Sequence, residues 1–266
     1  MSDVRTHEAL VDRQFGARAS AYLTSTVHAQ GADLEALAAI VEEQGGGRVL
    51  DLGCGAGHVG FSVAPHAREV VAYDLSPEML AVVARTAGER GLGNVSTRQG
   101  VAEKLPFEDE SFDMVLTRFS AHHWDDLDAG LRAAARVLKP GGTLGVVDTL
   151  GPTKPLLDTF FQTIEMLRDC SHVRSYSRPE WEAAIGRAGF VSETAARFRL
   201  RLEFTSWVER IGTPKVQADA IRALQSAVSK NVIDYFETEP DGSFKIDVLL
   251  IKASKPSVTG APPSHR

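Results

Sequence analysis

Two acids and three glycines hold the spacing with the clearest chemical meaning. Asp51-Leu52-Gly53-Cys54-Gly55-Ala56-Gly57 sets an acid just ahead of alternating glycines. Glycine lets the backbone approach a ligand and adopt φ > 0, and a helix beginning behind such a turn offers amide donors to an anionic group. Asp74 lies 17 residues after Gly57, where a carboxylate at the end of the next strand accepts hydrogen bonds from ribose hydroxyls. Asp51 would repel a pyrophosphate but suits an ammonium. A ligand with a ribose at one end and an amino acid at the other satisfies both acids, and S-adenosylmethionine (SAM) is one. Gly55-Ala56-Gly57-His58-Val59-Gly60 also matches the dinucleotide fingerprint G-x-G-x-x-G. A nicotinamide-dependent oxidoreductase therefore stands as the alternative, with Asp51 against it.

A second set of reactive side chains follows Thr117: Arg118, His122 and His123. An unperturbed imidazole titrates near ~6.5, so either histidine could take a proton from a nucleophile; the competing role is capping the next helix or packing on Trp124. Arg118 suits an acidic substrate group or a carboxylate of the chain itself. Adjacent histidines seldom converge on one ion, so no metal site is expected, and Asp125 and Asp126 read as acids at a helix start. Tyr22 and His28 either close over the ligand or pack along an amphipathic helix. His172-Val173-Arg174 and Trp207 to Arg210 offer aromatic and guanidinium surface for a planar or anionic substrate, against core packing and surface ion pairs. Cys54 reads as a small packing residue, although a thiol at a helix N-terminus would be more acidic than usual.

The elements that must position these groups alternate. Helical spacing covers residues 1–30 (Phe15, Ala19, Tyr22, Leu23) and 32–44 (Leu34, Leu37, Ala38, Val41). Short apolar runs at 48–52, 70–74, 112–117 and 143–147 read as buried strands and a further strand lies near 95–99, with helices to about 64, from Ser76-Pro77-Glu78 to about 90, and over 127–138. Strand–helix alternation at this spacing means βαβ units and a parallel sheet. Beyond residue 150, helices near 153–168, 178–187 and 206–229 and strands near 191–204 and 244–252 are expected, with a disordered tail over 253–266.

Composition narrows the class. The 266 residues carry Lys+Arg 29 against Asp+Glu 35, a net charge of −6, with no long basic run, so a nonspecific nucleic-acid binder is disfavoured. Two cysteines exclude a disulfide framework and favour a reduced, cytoplasmic setting. The charged first ten residues do not read as a signal peptide, and no apolar run approaches the ~20 residues of a membrane span.

Val49 to Gly57 resembles the first motif of class I SAM-dependent methyltransferases. Asp74-Leu75-Ser76-Pro77-Glu78-Met79-Leu80 is similar to their acidic second motif. Glu103-Lys104-Leu105-Pro106-Phe107 with Ser111-Phe112-Asp113, and Arg136 to Gly142, resemble the later ones in the same order, over roughly residues 45–150. Gln14-Phe15-Gly16, Tyr22 and Ser120 to Trp124 are similar to a bacterial branch of the subgroup containing the ubiquinone/menaquinone C-methyltransferases (methyltransferase type 11). The resemblance implies an α/β, Rossmann-like fold: a seven-stranded, mostly parallel sheet with helices on both faces, its last strand antiparallel. It implies one domain over 1–252, with a SAM-binding core at 31–150 and a partly helical cap from 1–30, 150–178 and 205–235 that encloses a small-molecule acceptor. No nucleic-acid or membrane partner is implied, and a homodimer stays open. Backbone at Gly53, Gly55 and Gly57 would meet the methionine end of SAM beside Asp51. Asp74 would hold the ribose, Leu75 would pack on the adenine, and Ala102 would meet its edge. Thr117 and Tyr22 would complete the cofactor site, with Arg118, His122 and His123 as the catalytic candidates. Val101 departs from the family, which often has an acid there; Glu103 or a water substitutes, or the contact is missing. That departure lends some support to a second alternative, a SAM-binding regulator or scaffold without catalysis. The implied reaction is an in-line displacement. It needs positioning and a dry pocket, and a base only where the nucleophile loses a proton.

Overall fold

A computed structural model describes residues 6–16 and 31–257. Tyr22 and His28, and most of the expected 1–30 helix, lie outside the described residues. Numbered in chain order, the described elements begin with α1 (His7–Gly16), α2 (Ala32–Glu43), β1 (Arg48–Leu52), α3 (His58–Val63), β2 (Glu69–Asp74), α4 (Pro77–Glu89), β3 (Val95–Gln99) and β4 (Phe112–Arg118). After a 3-10 turn at Ala121–His123 come α5 (Leu127–Val137), β5 (Leu138–Leu150), α6 (Pro155–Arg168), α7 (Arg178–Arg187) and β6 (Val191–Leu202). The chain ends with α8 (Phe204–Arg210), α9 (Lys215–Ala227), α10 (Lys230–Phe236) and β7 (Phe244–Ser254).

The strands form one sheet in the order β3-β2-β1-β4-β5-β7-β6. Neighbours run parallel from β3 to β5, and only β7 is antiparallel to its neighbours β5 and β6. Both faces of the central strands are buried, which is why β1, β2 and β4 read as near-continuous apolar runs. Val49, Val70, Met114 and Leu116 pack one face under α2 and α3. Leu50, Val71, Val115, Leu144 and Val146 pack the other against α5 and α7. The order in which successive strands are added reverses between β1 and β4, although the two strands run parallel. In an open α/β sheet the crevice at such a switch, beyond the carboxyl ends of the strands, is where ligands bind.

Local differences from the sequence expectations have physical causes. The hydroxyl of Ser76 does not cap α4; it hydrogen-bonds Glu78 Oε2 at 3.0 Å instead. β5 begins earlier than expected because Leu138 pairs with Phe112 before a register shift to Thr143 opposite Met114. Residues 253 and 254, expected in a disordered tail, belong to β7 instead. Ala253 and Ser254 pair with both β5 and β6, and the Lys255 amide donates to the Gly142 carbonyl at 2.9 Å. The helical stretch expected at 206–229 breaks into α8 and α9, and α10 extends it to Phe236.

Candidate active site

Every glycine of the loop after β1 holds a positive φ, at 70° for Gly53, 50° for Gly55 and 87° for Gly57. The tightest fit is Gly53, where an added Cβ would lie 1.8 Å from Ser120 Oγ. The loop is pinned to β2: the amides of Gly53 and Cys54 donate to the Tyr73 carbonyl at 2.8 and 3.0 Å, and the Gly55 amide donates to Asp74 Oδ2 at 2.8 Å.

Above this loop lies a cavity of about 520 Å³, within the range of small-molecule sites. Its wall collects Asp51, Gly53, Gly55, Asp74, Leu75, Ala102 and Glu103 from the C-terminal ends of β1 to β3, and Arg118, Ser120, His123 and Trp124 from the segment after β4. Three of the predicted residues are placed elsewhere. Thr117 alternates onto the sheet face of Val115 and does not line the cavity. His122 is turned away from it, and Gly57 serves as the N-cap of α3. The roof comes from the segment 1–30 that was expected in the cap, through residues the sequence reading did not single out as site residues: Thr6, His7, Glu8, Val11 and Phe15 of the α1 segment line the cavity, with His7 Nε2 donating to the His123 carbonyl at 2.7 Å.

The 150–178 and 205–235 parts of the expected cap do not build the wall. Among the described residues the lining ends at Asp125. α6, α8, α9 and α10 instead spend their apolar faces (Phe160, Phe161, Trp207, Ile221, Phe236) covering the sheet at β5 and β7. Trp207 is buried against Phe244, with Arg168 over its ring. His172 meets Gln162, and Arg174 pairs with Asp158 and Glu180.

The charged groups behave differently from one another. Asp51 is buried, its Oδ2 accepts the Gly60 amide at 2.8 Å, and its Oδ1 has no partner among the described residues. Burial pushes its carboxyl from 3.8 up to about 7. Burial also raises Asp74, against the amides of Ser76, Gly55 and Leu75, which pull it down. Cys54 is not acidic: burial, with Asp74 and Asp51 nearby, lifts its thiol well above the ordinary value. Arg118 pairs with Asp33 at 2.5 Å. His122 Nδ1 meets Asp148 Oδ1 at 2.5 Å; burial pulls its pKa down, but the adjacent carboxylate outweighs this and the net direction is up. His123 neither caps α5 nor packs on Trp124 alone. Its Nδ1 faces the Ser171 carbonyl at 3.0 Å and its ring meets Phe15 edge-on, while Asp126 caps the helix. Burial first, then the neighbouring His122, lowers its pKa to about 4. Glu103 Oε1 accepts the Asp125 amide at 2.9 Å and so ties the loop after β3 to the Trp124 segment.

The Methyltransferase domain family matches residues 50–146. YcgJ of Bacillus subtilis, described as an uncharacterized methyltransferase, is 38% identical over 246 residues, covering 91% of this chain and 97% of that protein. The crystal structure of YcgJ superposes with a TM-score of 0.81 at 35% identity, covering 85% of this chain and 98% of the other. The chain belongs to the class I methyltransferases. YafE of Escherichia coli K12, an uncharacterized protein, is 48% identical to this methyltransferase over 195 residues, 73% of this chain and 94% of its own. The ubiquinone/menaquinone biosynthesis C-methyltransferase UbiE of Ectopseudomonas mendocina is 38% identical, but over only 44% of this chain and 48% of its own. Among the described residues, no helix of the methyltransferase is long and apolar enough to cross a membrane.

Proposed function

We propose that this methyltransferase uses SAM as donor and a small molecule as acceptor, within a single domain whose cofactor core spans residues 31–150. The observation that carries the reading is Asp51 Oδ1, a buried carboxylate oxygen with no partner among the described residues, in the wall of a cavity that Asp74 also lines. Buried polar atoms are nearly always answered, and an ammonium is the group that answers a carboxylate best.

SAM, when bound, supplies a methyl group made electrophilic by its sulfonium. Asp51 would hold the amino-acid end through Oδ1. Asp74 receives one backbone amide on each oxygen, from Ser76 at 2.9 Å and Gly55 at 2.8 Å, and a carboxylate has roughly four lone-pair sites, so two ribose hydroxyls still fit. Leu75 and Ala102 would flank the adenine. Val11, Phe15, Met79 and Phe119 keep water from the walls, and the roof formed by α1 favours an enclosed small acceptor over a macromolecular one. His123 is the residue we assign to the acceptor. A carbonyl only accepts, so Nδ1 carries the hydrogen and Nε2 the lone pair, and Nε2 lies 3.9 Å from Asp169 Oδ2, so an acceptor group would meet it beside that carboxylate. A pKa about 4 makes it an acceptor that orients a hydroxyl or amine rather than a group that stores a proton. His122, locked to Asp148, is not assigned a catalytic role.

Calorimetry with S-adenosylhomocysteine (SAH) and with NADH tests the donor, and labelled methyl transfer from SAM into a cell extract tests the chemistry. Binding of SAH but not NADH, with a labelled small product, is expected. NADH binding would transfer the cavity to the oxidoreductase reading, and SAH binding without any labelled product would favour a regulator.

A further inference from the structure

A second buried carboxylate has an oxygen to spare. Asp169 follows α6, is 1% exposed, and sits behind His123 rather than in the cavity lining. Its Oδ1 accepts the Ser171 amide at 2.9 Å and the Ser171 hydroxyl at 2.6 Å. Its Oδ2 has no hydrogen-bond partner among the described residues and lies 3.9 Å from His123 Nε2, the nitrogen assigned to the acceptor. The cations packed around it answer other groups. Arg168 turns to the Trp207 carbonyl at 3.1 Å and to Glu165 at 3.5 Å, and His122 is held by Asp148. His172 stays neutral: burial, with His122 and His123 beside it, pushes its pKa down to about 2. A buried negative charge without a counter-ion is costly, and this one stands behind the contact offered to the acceptor. Its charge reaches that far, since Asp169 raises the proton affinity of His123 against the effect of burial.

We propose that the acceptor is an amine methylated on nitrogen, with Asp169 as a positioning residue whose charge favours the positive nitrogen formed in the transfer. The inference rests on the assignment of His123 to the acceptor and adds the acceptor's class. An ammonium first gives one proton to water and docks as the neutral amine, one N–H donating to His123 Nε2. That contact aims the nitrogen lone pair at the methyl group. The N–C bond forms as the S–C bond breaks, and the electron pair of the broken bond stays on sulfur. The positive charge passes from the sulfonium to the methylated ammonium. Asp169 stands where that charge arrives, and a fixed carboxylate there stabilises the transition state more than the neutral amine before it. Other nucleophiles gain nothing from it. A phenolate, enolate or thiolate brings negative charge to the same corner and loses it on transfer, so Asp169 opposes its binding and does nothing for its reaction.

The test uses the full chain, SAM labelled with carbon-13 in its methyl group, and a protein-free cell extract. The chemical shift of the transferred carbon separates an N-methyl product from O-, S- and C-methyl products. An N-methyl resonance is expected, and a resonance of any other kind overturns the inference. The absence of any labelled product fails differently: it removes the methyl-transfer reading beneath. With the amine so identified, Asp169→Asn, which keeps an oxygen for Ser171, should lower kcat about ten- to hundredfold. The Kd for SAH should stay within about twofold and the urea midpoint should not move, whereas a merely structural role would shift both. An unchanged kcat in the folded variant overturns the role given to Asp169. Should the variant not fold, the linkage of the wild-type product still decides the acceptor's class.

Discussion

Asp51 and Asp148 are both aspartates at the ends of central strands, and each is only 1% exposed, yet their surroundings are opposite. Every oxygen of Asp148 is answered. Oδ1 takes His122 Nδ1 and the Thr149 amide at 2.5 and 2.7 Å, and Oδ2 takes the His122 amide at 3.2 Å. Its partner is tied in turn, since the His122 carbonyl accepts the amides of Val173 and Arg174 at 2.9 and 3.2 Å. Asp51 has one amide and one oxygen with nothing to bind among the described residues. A saturated buried acid is a joint between β5, the turn after β4 and the 169–177 segment. An unanswered one in a cavity wall is a half-made contact, costly until a ligand completes it. Burial alone does not separate structure from function here; the count of satisfied oxygens does.

The comparison breaks most visibly on removing Asp148. Asp148→Ala strips the His122 ring, the His122 amide and the Thr149 amide of their acceptor and should cost about 3 kcal/mol or more of stability, since each buried donor left unanswered costs about 1–3 kcal/mol. Urea unfolding measures it, and a loss below about 1 kcal/mol would mean the pair is not a joint. Asp51→Asn should do the reverse. SAH affinity should fall by about 1.5–3 kcal/mol, as expected for a hydrogen bond to a charged group, while the ligand-free protein keeps or gains stability because an uncompensated carboxylate has gone. Calorimetry and unfolding on the same preparation test both halves. A stability loss like that of Asp148→Ala would place Asp51 with the joints.

His123 lies between these two regimes, with Nδ1 on the Ser171 carbonyl, Nε2 3.9 Å from Asp169 Oδ2 and its ring in the cavity wall. His123→Ala should lower turnover about ten- to hundredfold, at the modest end of what a positioned proton-transfer group supplies, and leave the Kd for SAH within about twofold. Equal losses in both would make it packing for Phe15 and nothing more.

How far the sequence speaks follows the same division. The stretch from Arg48 to Leu150 was legible because it is built from local rules: buried parallel strands read as apolar runs, and glycines stand where φ is positive. Asp51, Gly53, Gly55, Asp74, Leu75, Ala102 and Glu103 all line one cavity. What the sequence hid are pairings across long separations. Arg118 meets Asp33 from 85 residues away, and His122 meets Asp148 from 26; a lone polar residue does not announce its partner. The insertions at 150–178 and 205–235 misled for a related reason. An amphipathic helix shows that it has an apolar face but not what that face covers, and α6 and α8 to α10 cover the sheet rather than the cavity.

The gentlest probe of the contrast is pH. Burial moves Asp51 from 3.8 to about 7, so the folded, ligand-free chain keeps a proton there that the unfolded chain has released. That group's contribution to stability is therefore fullest at low pH and declines as pH rises from about 4 to about 7. An ammonium at Oδ1 favours the ionised form, so binding must expel the proton wherever it is present. SAH affinity should consequently be level above about pH 8 and fall by about tenfold, or ~1.4 kcal/mol, on going down to pH 6. His122 shifts stability in the same direction as Asp51: its raised pKa gives stability that is complete below the ordinary histidine value and is lost as pH climbs through the folded one. It does so without any ligand and without touching the cavity. Calorimetry from pH 6 to 8 in buffers of different ionisation enthalpy would report a proton released on binding near pH 6 in the wild type and none in Asp51→Asn. A slope that survives in Asp51→Asn would assign the titration to a group other than the unanswered carboxylate and would leave the two aspartates without the distinction drawn between them.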